Sequence, residues 1–353
     1  MSLIQRTGNI YEQQVRNTRL TNVLIAFFVL YFFILGYGTD FFLFKTDAFG
    51  IFHRHWIGFP WATTVAVVLA SVYAGYSFYR ADDLILHSVN LDRVWEEIPK
   101  EELVQRMWLE DNANNQLVHV VQEMSIAAGI PIPAIYVIRD RDPNAFATGR
   151  DPYHASLAVT EGLLKTLTRE ELQAVVAHEL AHIRNRDTRL MMMIAALTAG
   201  NILLARYAQA RGLTMVSRLR IAGGLALFFI LWVGMVIVTP LFTRFLSMAI
   251  SRQREYQADV EACLMTRNPE TLMRALQKVD DYMGQTRSFS IAISHLCITD
   301  PMGRYFQVEE EGFFRRWFVT HPPIIRRLAA LREMALILGS KPESATKRNE
   351  ETF

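Results

Sequence analysis

Charged residues are absent from four stretches of the chain, 20–39, 56–79, 190–205 and 221–243, which together make up 83 of its 353 residues. Each is largely apolar and long enough, or nearly so, to cross the ~30 Å hydrocarbon core of a bilayer as a helix. The first is too long and too aromatic for a signal-peptide core and shows no small-residue cleavage site, which predicts a retained anchor. Trp56, Trp61 and Tyr79 sit near the ends of the second, where interfacial aromatics belong. The two stretches predict a transmembrane hairpin. Arg6, Arg16 and Arg19 precede it and Arg80, Arg93, Lys100 and Arg106 follow it, while the loop between holds only Lys45 and Arg54 as cations. That bias puts both flanks on the cytoplasmic side. The second pair predicts another hairpin, although 190–205 spans only about 24 Å as a helix and crosses only if Arg189 and Arg206 snorkel. Arg206, Arg211, Arg218 and Arg220 in the following loop run against the positive-inside rule for an external loop.

The expected organisation is a tail and hairpin over 1–80, a first soluble part over 81–189, a second hairpin over 190–243, a second soluble part over 244–340 and a disordered tail over 341–353. The fold class expected is mainly α with a small β-sheet, in an integral membrane protein with four apolar helices. Helical patterning runs from Asp83 to Gly129, and Ala134–Ile138 reads as a strand after Pro131 and Pro133. Short strands are expected at Ala145–Thr148 and Ser156–Thr160, joined as a hairpin by Gly149-Arg-Asp-Pro152. Thr168-Arg-Glu-Glu171 is a capping box that starts a helix running to about Arg186. Asn268-Pro269 starts a helix through Tyr282, and Thr320-His321-Pro322 starts one running to about Leu338.

All 37 Lys+Arg and 35 Asp+Glu fall outside the four apolar stretches. The chain is therefore neither a disordered polymer, nor a fully soluble enzyme, nor a transporter that is membrane throughout. No apolar stretch carries an ionisable residue to mark a transport pathway. A net charge of +2 advertises no nucleic-acid partner. The only cysteines, Cys263 and Cys297, form no CxxC metal knuckle or disulfide framework and fit a reducing compartment.

The chemistry lies in the helix after the capping box, which contains His178-Glu-Leu-Ala-His182. Histidines at i and i+4 share one helical face, so both imidazoles can reach one Zn²⁺, with Glu179 close enough to hold its water. With nine histidines in the chain, an accidental match has a probability of at most about 2%. A catalytic zinc needs a third protein ligand. Glu255 and Asp259 lie one turn apart on another helix, which suits Glu255 as that ligand and Asp259 as acceptor of a hydrogen bond from a ligand imidazole. Taken alone, such a pair is more often a solvated face or a partner of Arg252 and Arg254. Topology favours the site: an even number of crossings over 190–243 returns the chain at Glu255 to the side it left at His182. Asn185 and Asp187, past the helix end, read as capping or salt-bridging residues. The Met191–Met193 run reads as lipid-facing or helix-packing.

The sequence resembles the HtpX-like membrane metallopeptidases, relatives of the CAAX prenyl proteases. The resemblance rests on Asn144-Ala-Phe-Ala-Thr-Gly149, His178-Glu-Leu-Ala-His182-Ile-Arg-Asn-Arg-Asp187, Arg254-Glu-Tyr-Gln-Ala-Asp259 and His321-Pro-Pro-Ile-Ile-Arg-Arg327. It covers about residues 20–335, and the lead of about 19 residues looks like an addition. It implies a gluzincin-like zinc peptidase domain with one Zn²⁺ per chain on His178, His182 and Glu255, and Glu179 as general base. His321 and Arg327 match residues that relatives aim at the tetrahedral intermediate; by sequence alone they are a helix-start residue and a surface charge. Ser156, Leu157 and Ala158 look like part of an active-site edge strand to which a peptide substrate adds, or else an ordinary buried strand. Asn144 and Ala145 resemble cleft-lining residues. His154 fits the pattern without an assignable role.

The implied activity is hydrolysis of peptide bonds in misfolded or damaged membrane proteins, with self-cleavage as a consequence. The implied place is a bacterial inner (plasma) membrane, multi-pass, with the catalytic domain on the cytoplasmic side. The partners expected are unfolded or membrane protein substrates and the lipid bilayer, with room for self-association. A CAAX-type protease acting on lipidated C-termini is the alternative enzyme, against which four spans argue. A non-catalytic zinc-containing scaffold is the alternative of another class.

Overall fold

The computed structural model of the chain describes residues 10–42, 58–87, 91–95, 112–195, 254–282, 296–298 and 324–337. His321, the apolar residues 196–205 and 221–243, and the tail 341–353 lie outside the described residues. Contacts divide the chain into two units, one of Met1–Asn17, Asp82–Met191 and Met248–Phe353, the other of Thr18–Ala81 and Met192–Ser247.

The second unit contains most of two long helices, α1 (Ile10–Phe42) and α2 (Trp61–His87). Their segments Tyr11–Phe41 and Trp61–Arg80 are each long and apolar enough to cross a membrane. Leu24, Phe28, Tyr31 and Leu35, at i, i+4, i+7 and i+11 of α1, are buried, as are Ala70 and Ala74 of α2. Val23, Phe27, Leu30 and Ile34 on another face of α1 are exposed, as are Val65, Val68, Leu69 and Val72 of α2. A surface so apolar suits lipid and not water. The helices meet closely at Gly36, where any side chain would strike the Thr63 backbone. Asp40 reads from sequence as part of the connecting loop. Instead it lies in α1, is buried, and accepts hydrogen bonds from Ala62 N (3.0 Å), Thr63 N (2.7 Å) and Thr63 Oγ1 (2.6 Å). Its carboxylate thus satisfies orphan N–H groups at the start of α2 and faces the positive end of that helix.

The first unit is built on a four-stranded sheet of β1 (Leu91–Trp95), β2 (Ala134–Ile138), β3 (Ala145–Asp151) and β4 (His154–Thr160), in the order β1-β2-β4-β3. β2 and β4 run parallel; the other two pairs are antiparallel. β2 matches the expected bounds, and β3 and β4 form the expected hairpin. Gly149 there has φ +134°, and a side chain on it would collide with the His154 carbonyl. β1 departs from the expected continuous helical pattern between Asp83 and Gly129. Leu91-Asp-Arg-Val-Trp95 suits either period, and pairing with β2, with a register shift between Arg93 and Trp95, decides the matter.

α3 (Asn112–Ala128), the short α4 (Glu161–Thr166), α5 (Arg169–Arg184), α6 (Pro269–Asp281) and α7 (Ile324–Ile337) complete the unit, with helical segments at 187–191 and 254–266. α5 is its axis. Leu172, Val175, Val176, Leu180 and Ile183 pack with Leu117 and Val121 of α3, Leu157 of β4, Leu276 of α6 and Met334 of α7. The capping box is present: Glu171 N donates to Thr168 Oγ1 (3.3 Å) and Thr168 N donates to Glu171 Oε2 (2.8 Å). Met191, Met192 and Met193 are buried, in line with helix packing.

Candidate active site

α5 presents His178 and His182 one turn apart, with ring planes at 89° and centroids 4.8 Å apart. Their Nε2 atoms face each other at 3.3 Å. Glu255, on the 254–266 helix, brings Oε2 to 3.6 Å from His178 Nε2 and Oε1 to 3.7 Å from His182 Nε2. The three residues offer ligand atoms all within 4.8 Å of one another. Tetrahedral coordination at zinc-nitrogen lengths of about 2.0–2.1 Å places ligand atoms about 3.3–3.4 Å apart, so the donor set fits a small tetrahedral cation with little adjustment.

Both remaining ring nitrogens are held by carboxylates. His178 Nδ1 lies 3.0 Å from Asp259 Oδ1, and His182 Nδ1 lies 3.0 Å from Asp187 Oδ2. A proton on each Nδ1, hydrogen-bonded to Asp187 at His182 and only in ion-pair range of Asp259 at His178, leaves both Nε2 lone pairs pointing inward. Two such lone pairs beside a carboxylate repel unless positive charge stands among them. The same field acts on the imidazoles. Burial works against charge on His178, yet its bonds to Asp259 and Glu255 raise its pKa to about 9; His182 is raised against burial by Asp187 and Glu255. Glu179 is buried, and that burial pushes its carboxyl upward despite the nearby histidines and a hydrogen bond from the Ala147 backbone. Among the described residues, buried Glu179, Glu255, Asp259 and Asp187 stand against buried Arg327 and Arg254.

The sequence profile of peptidase family M48 matches residues 111–335. The chain belongs to peptidase family M48. Among relatives within this family, the protease HtpX homologue of Thermoanaerobacter pseudethanolicus is 36% identical over 335 residues, covering 93% of this chain and 98% of that protein. The HtpX homologue of Caldanaerobacter subterraneus subsp. tengcongensis is 34% identical over 332 residues, with coverages of 93% and 98%. That of Limosilactobacillus fermentum is 32% identical over 329 residues, with coverages of 92% and 100%. Among solved structures, S. mikatae Ste24p aligns with a TM-score of 0.45 at 18% identity, covering 91% of this chain; the chain spans 66% of that protein. The resemblance read from the motifs to the HtpX-like peptidases therefore holds.

Against this M48 centre, several expected residues move. Ser156, Leu157 and Ala158 do not lie at a sheet edge. β4 is internal: Ser156, Leu157 and Ala158 pair with Ala134, Ile135 and Tyr136 on one side and with Thr148, Ala147 and Phe146 on the other. Both of its hydrogen-bonding edges are used, so no peptide can add there. The edge strand is β3. Ala145 lies at its start, whereas Asn144 is fully buried, with its side-chain oxygen closed onto Ala145 N at 3.0 Å and its backbone N–H on Thr160 Oγ1 at 2.9 Å. Asn144 thus shapes the start of the edge strand and does not face a cleft. The outer edge of β3 is occupied: Phe146 forms an antiparallel bridge with Cys297, Ile298 N donates to Ala145 O (2.9 Å) and Thr188 Oγ1 to Gly149 O (2.9 Å). Ala147 lies between them, its N–H on Glu179.

Arg327 is fully buried, not the surface charge that sequence alone suggests. Its Nε and one terminal nitrogen grip Asp259 at 2.9 and 2.6 Å, and the other terminal nitrogen donates to Ile298 O at 3.1 Å. It also borders the metal-facing atoms, 3.5 Å from His178 Nε2 and 3.4 Å from Glu255 Oε2. Its charge is held in the ionised form by Asp259 and Glu255 against the effect of burial.

Asp187 is the residue that sequence reasoning undervalued. α5 ends at Asn185, Arg186 takes a left-handed φ of +59°, and the reversal carries Asp187 back beneath His182. A glycine at 186 would have flagged that turn; an arginine does not.

Proposed function

We propose that this M48 protein is a membrane-anchored zinc endopeptidase with His178, His182 and Glu255 as the metal ligands. The observation that carries the reading is the convergence of two Nε2 atoms and the Glu255 carboxylate, each imidazole backed by its own aspartate. Zinc held there would supply a Lewis acid for the scissile carbonyl. Glu179 takes a proton from the attacking water, helped by burial that raises its proton affinity, and passes it to the leaving amine. Asp259 and Asp187 fix the tautomer and orientation of the ligand imidazoles. Arg327 holds Asp259 in place and sets positive charge beside the site. His321 donates to the developing oxyanion.

An extended peptide adds to the edge strand β3 only by displacing the Phe146–Cys297 pairing there, which brings its backbone next to Glu179. Recognition through main-chain hydrogen bonds selects for unfolded segments more than for sequence. Misfolded or damaged membrane proteins are the substrates that such a site, tied to apolar helices, meets most often, and self-cleavage follows from the same chemistry. The protein sits in a bacterial inner membrane as a multi-pass protein, with the peptidase domain on the cytoplasmic side.

The detergent-solubilised protein is expected to bind about one zinc per chain and to degrade casein. Glu179→Gln is expected to retain zinc and lose cleavage; cleavage at the wild-type rate removes Glu179 from the chemistry. Glu255→Ala is expected to lose zinc, and full zinc occupancy in that variant points to another third ligand, with His321 first in line.

A further inference from the structure

The first two turns of α1 carry Gln14 and Asn17, i and i+3 on one face, and both reach the far end of the helix that carries the metal-site histidines. Gln14 Nε2 donates to Arg184 O (2.7 Å) and Asn17 Nδ2 to Asn185 O (2.9 Å). The last carbonyls of any helix lack intrahelical partners, and here two side-chain amides supply them. The second hydrogen on Asn17 Nδ2 goes to Asp187 Oδ1 at 2.6 Å. Asn17 is buried, so water does not compete for these bonds. The other oxygen of Asp187, Oδ2, is the one on His182 Nδ1. Arg254 approaches Asp187 Oδ1 only at 3.7 Å, which is an ion pair but not a directed hydrogen bond.

We infer that Asn17 is a positioning residue for the metal site: it fixes the rotation of the Asp187 carboxylate, and Asp187 in turn orients His182. The inference rests on the reading of His182 as a metal ligand and extends the site to a segment that looks like an addition from sequence. Asp187 needs such help because the backbone that presents it is strained. Arg186 sits in the left-handed region, which disfavours any residue with a side chain. A carboxylate delivered by a strained reversal keeps one orientation only when its second oxygen is tied as well. Asn17 ties it together with the Asn185 carbonyl, so the helix end and the carboxylate are set by one amide group.

The test is the rate at which zinc leaves the full-length, detergent-solubilised protein into excess chelator. Partners of ligating histidines change metal affinity by about 10–100-fold when removed, and Asp187→Ala should fall in that range. Asn17→Ala should speed release by about 3–10-fold, and by no further factor when Asp187 is already alanine. Thr168→Ala, which weakens the same helix at its other end, should lower thermal stability without changing zinc release. Should Asn17→Ala not fold, Asn17→Ser carries the same expectation. Asn17 variants that release zinc at the wild-type rate, or that act undiminished on the Asp187→Ala background, overturn the inference. Full zinc retention by both Glu255→Ala and Asp187→Ala overturns the metal-site reading itself, which is a separate outcome.

Discussion

The two histidines of the site are one turn apart on one helix, yet they are supported in different ways. His178 leans on Asp259, and Asp259 is gripped by Nε and one terminal nitrogen of a fully buried arginine, Arg327. His182 leans on Asp187, which is held by a neutral amide, Asn17, and more distantly by Arg254. The first support is ionic, bidentate and deeply buried; the second hangs on a strained turn and one amide. A charged clamp in a dry site is costly to break, because removing one partner leaves the other's charge buried and unpaired. A neutral tether costs less to lose and is easier to adjust. The pair shows that equivalent side chains of one site need not be equally secured.

This asymmetry can be broken from either end. Arg327→Ala should have the largest effect: it strands Asp259 and Glu255, and should cost about 3–5 kcal/mol of stability together with zinc binding. Denaturant unfolding and metal content read both, and a variant that is stable and zinc-loaded means that Asp259 does not depend on the clamp. Next, Asp259→Ala should weaken zinc more than Asp187→Ala, both within the range of about 10–100-fold. The reverse order in a zinc titration would put the stronger support at His182. Arg327→Lys keeps the charge but loses the fork, so it should retain zinc while shortening the lifetime of the loaded protein; wild-type release kinetics would reduce Arg327 to a point charge. Last, Arg186→Gly should relieve the left-handed turn and raise stability by roughly 0.5–1 kcal/mol with zinc affinity unchanged. A loss of affinity would assign the Arg186 side chain a part in holding Asp187.

What was legible in the sequence follows the range of the interactions. The pairing of His178 with His182, the capping box at Thr168 and the Glu255–Asp259 spacing are all one-turn relations, and the structure places them as expected. β2 was readable from its own residues. Sheet order was not, because nothing within Ser156–Ala158 reveals that β3 lies outside it. The edge strand was therefore assigned one strand too far in. β1 was missed because its five residues suit helix as well as strand until β2 is beside them. The grip of Arg327 on Asp259 spans 68 residues and that of Asn17 on Asp187 spans 170. Contacts of that kind leave no periodic trace in a single sequence.

These long separations also order events in time. As the chain is synthesised, residues 178–187 emerge with the histidines and Asp187, when Asn17 is already available but Glu255, Asp259 and Arg327 do not yet exist. Glu255 follows Asp187 only after a further 68 residues, and the arginine clamp forms only when Ile324–Ile337 folds back on the 254–266 helix. Loop closure over such distances is slow relative to helix formation. A site drawn from segments so far apart is thus complete only late in the synthesis of the chain.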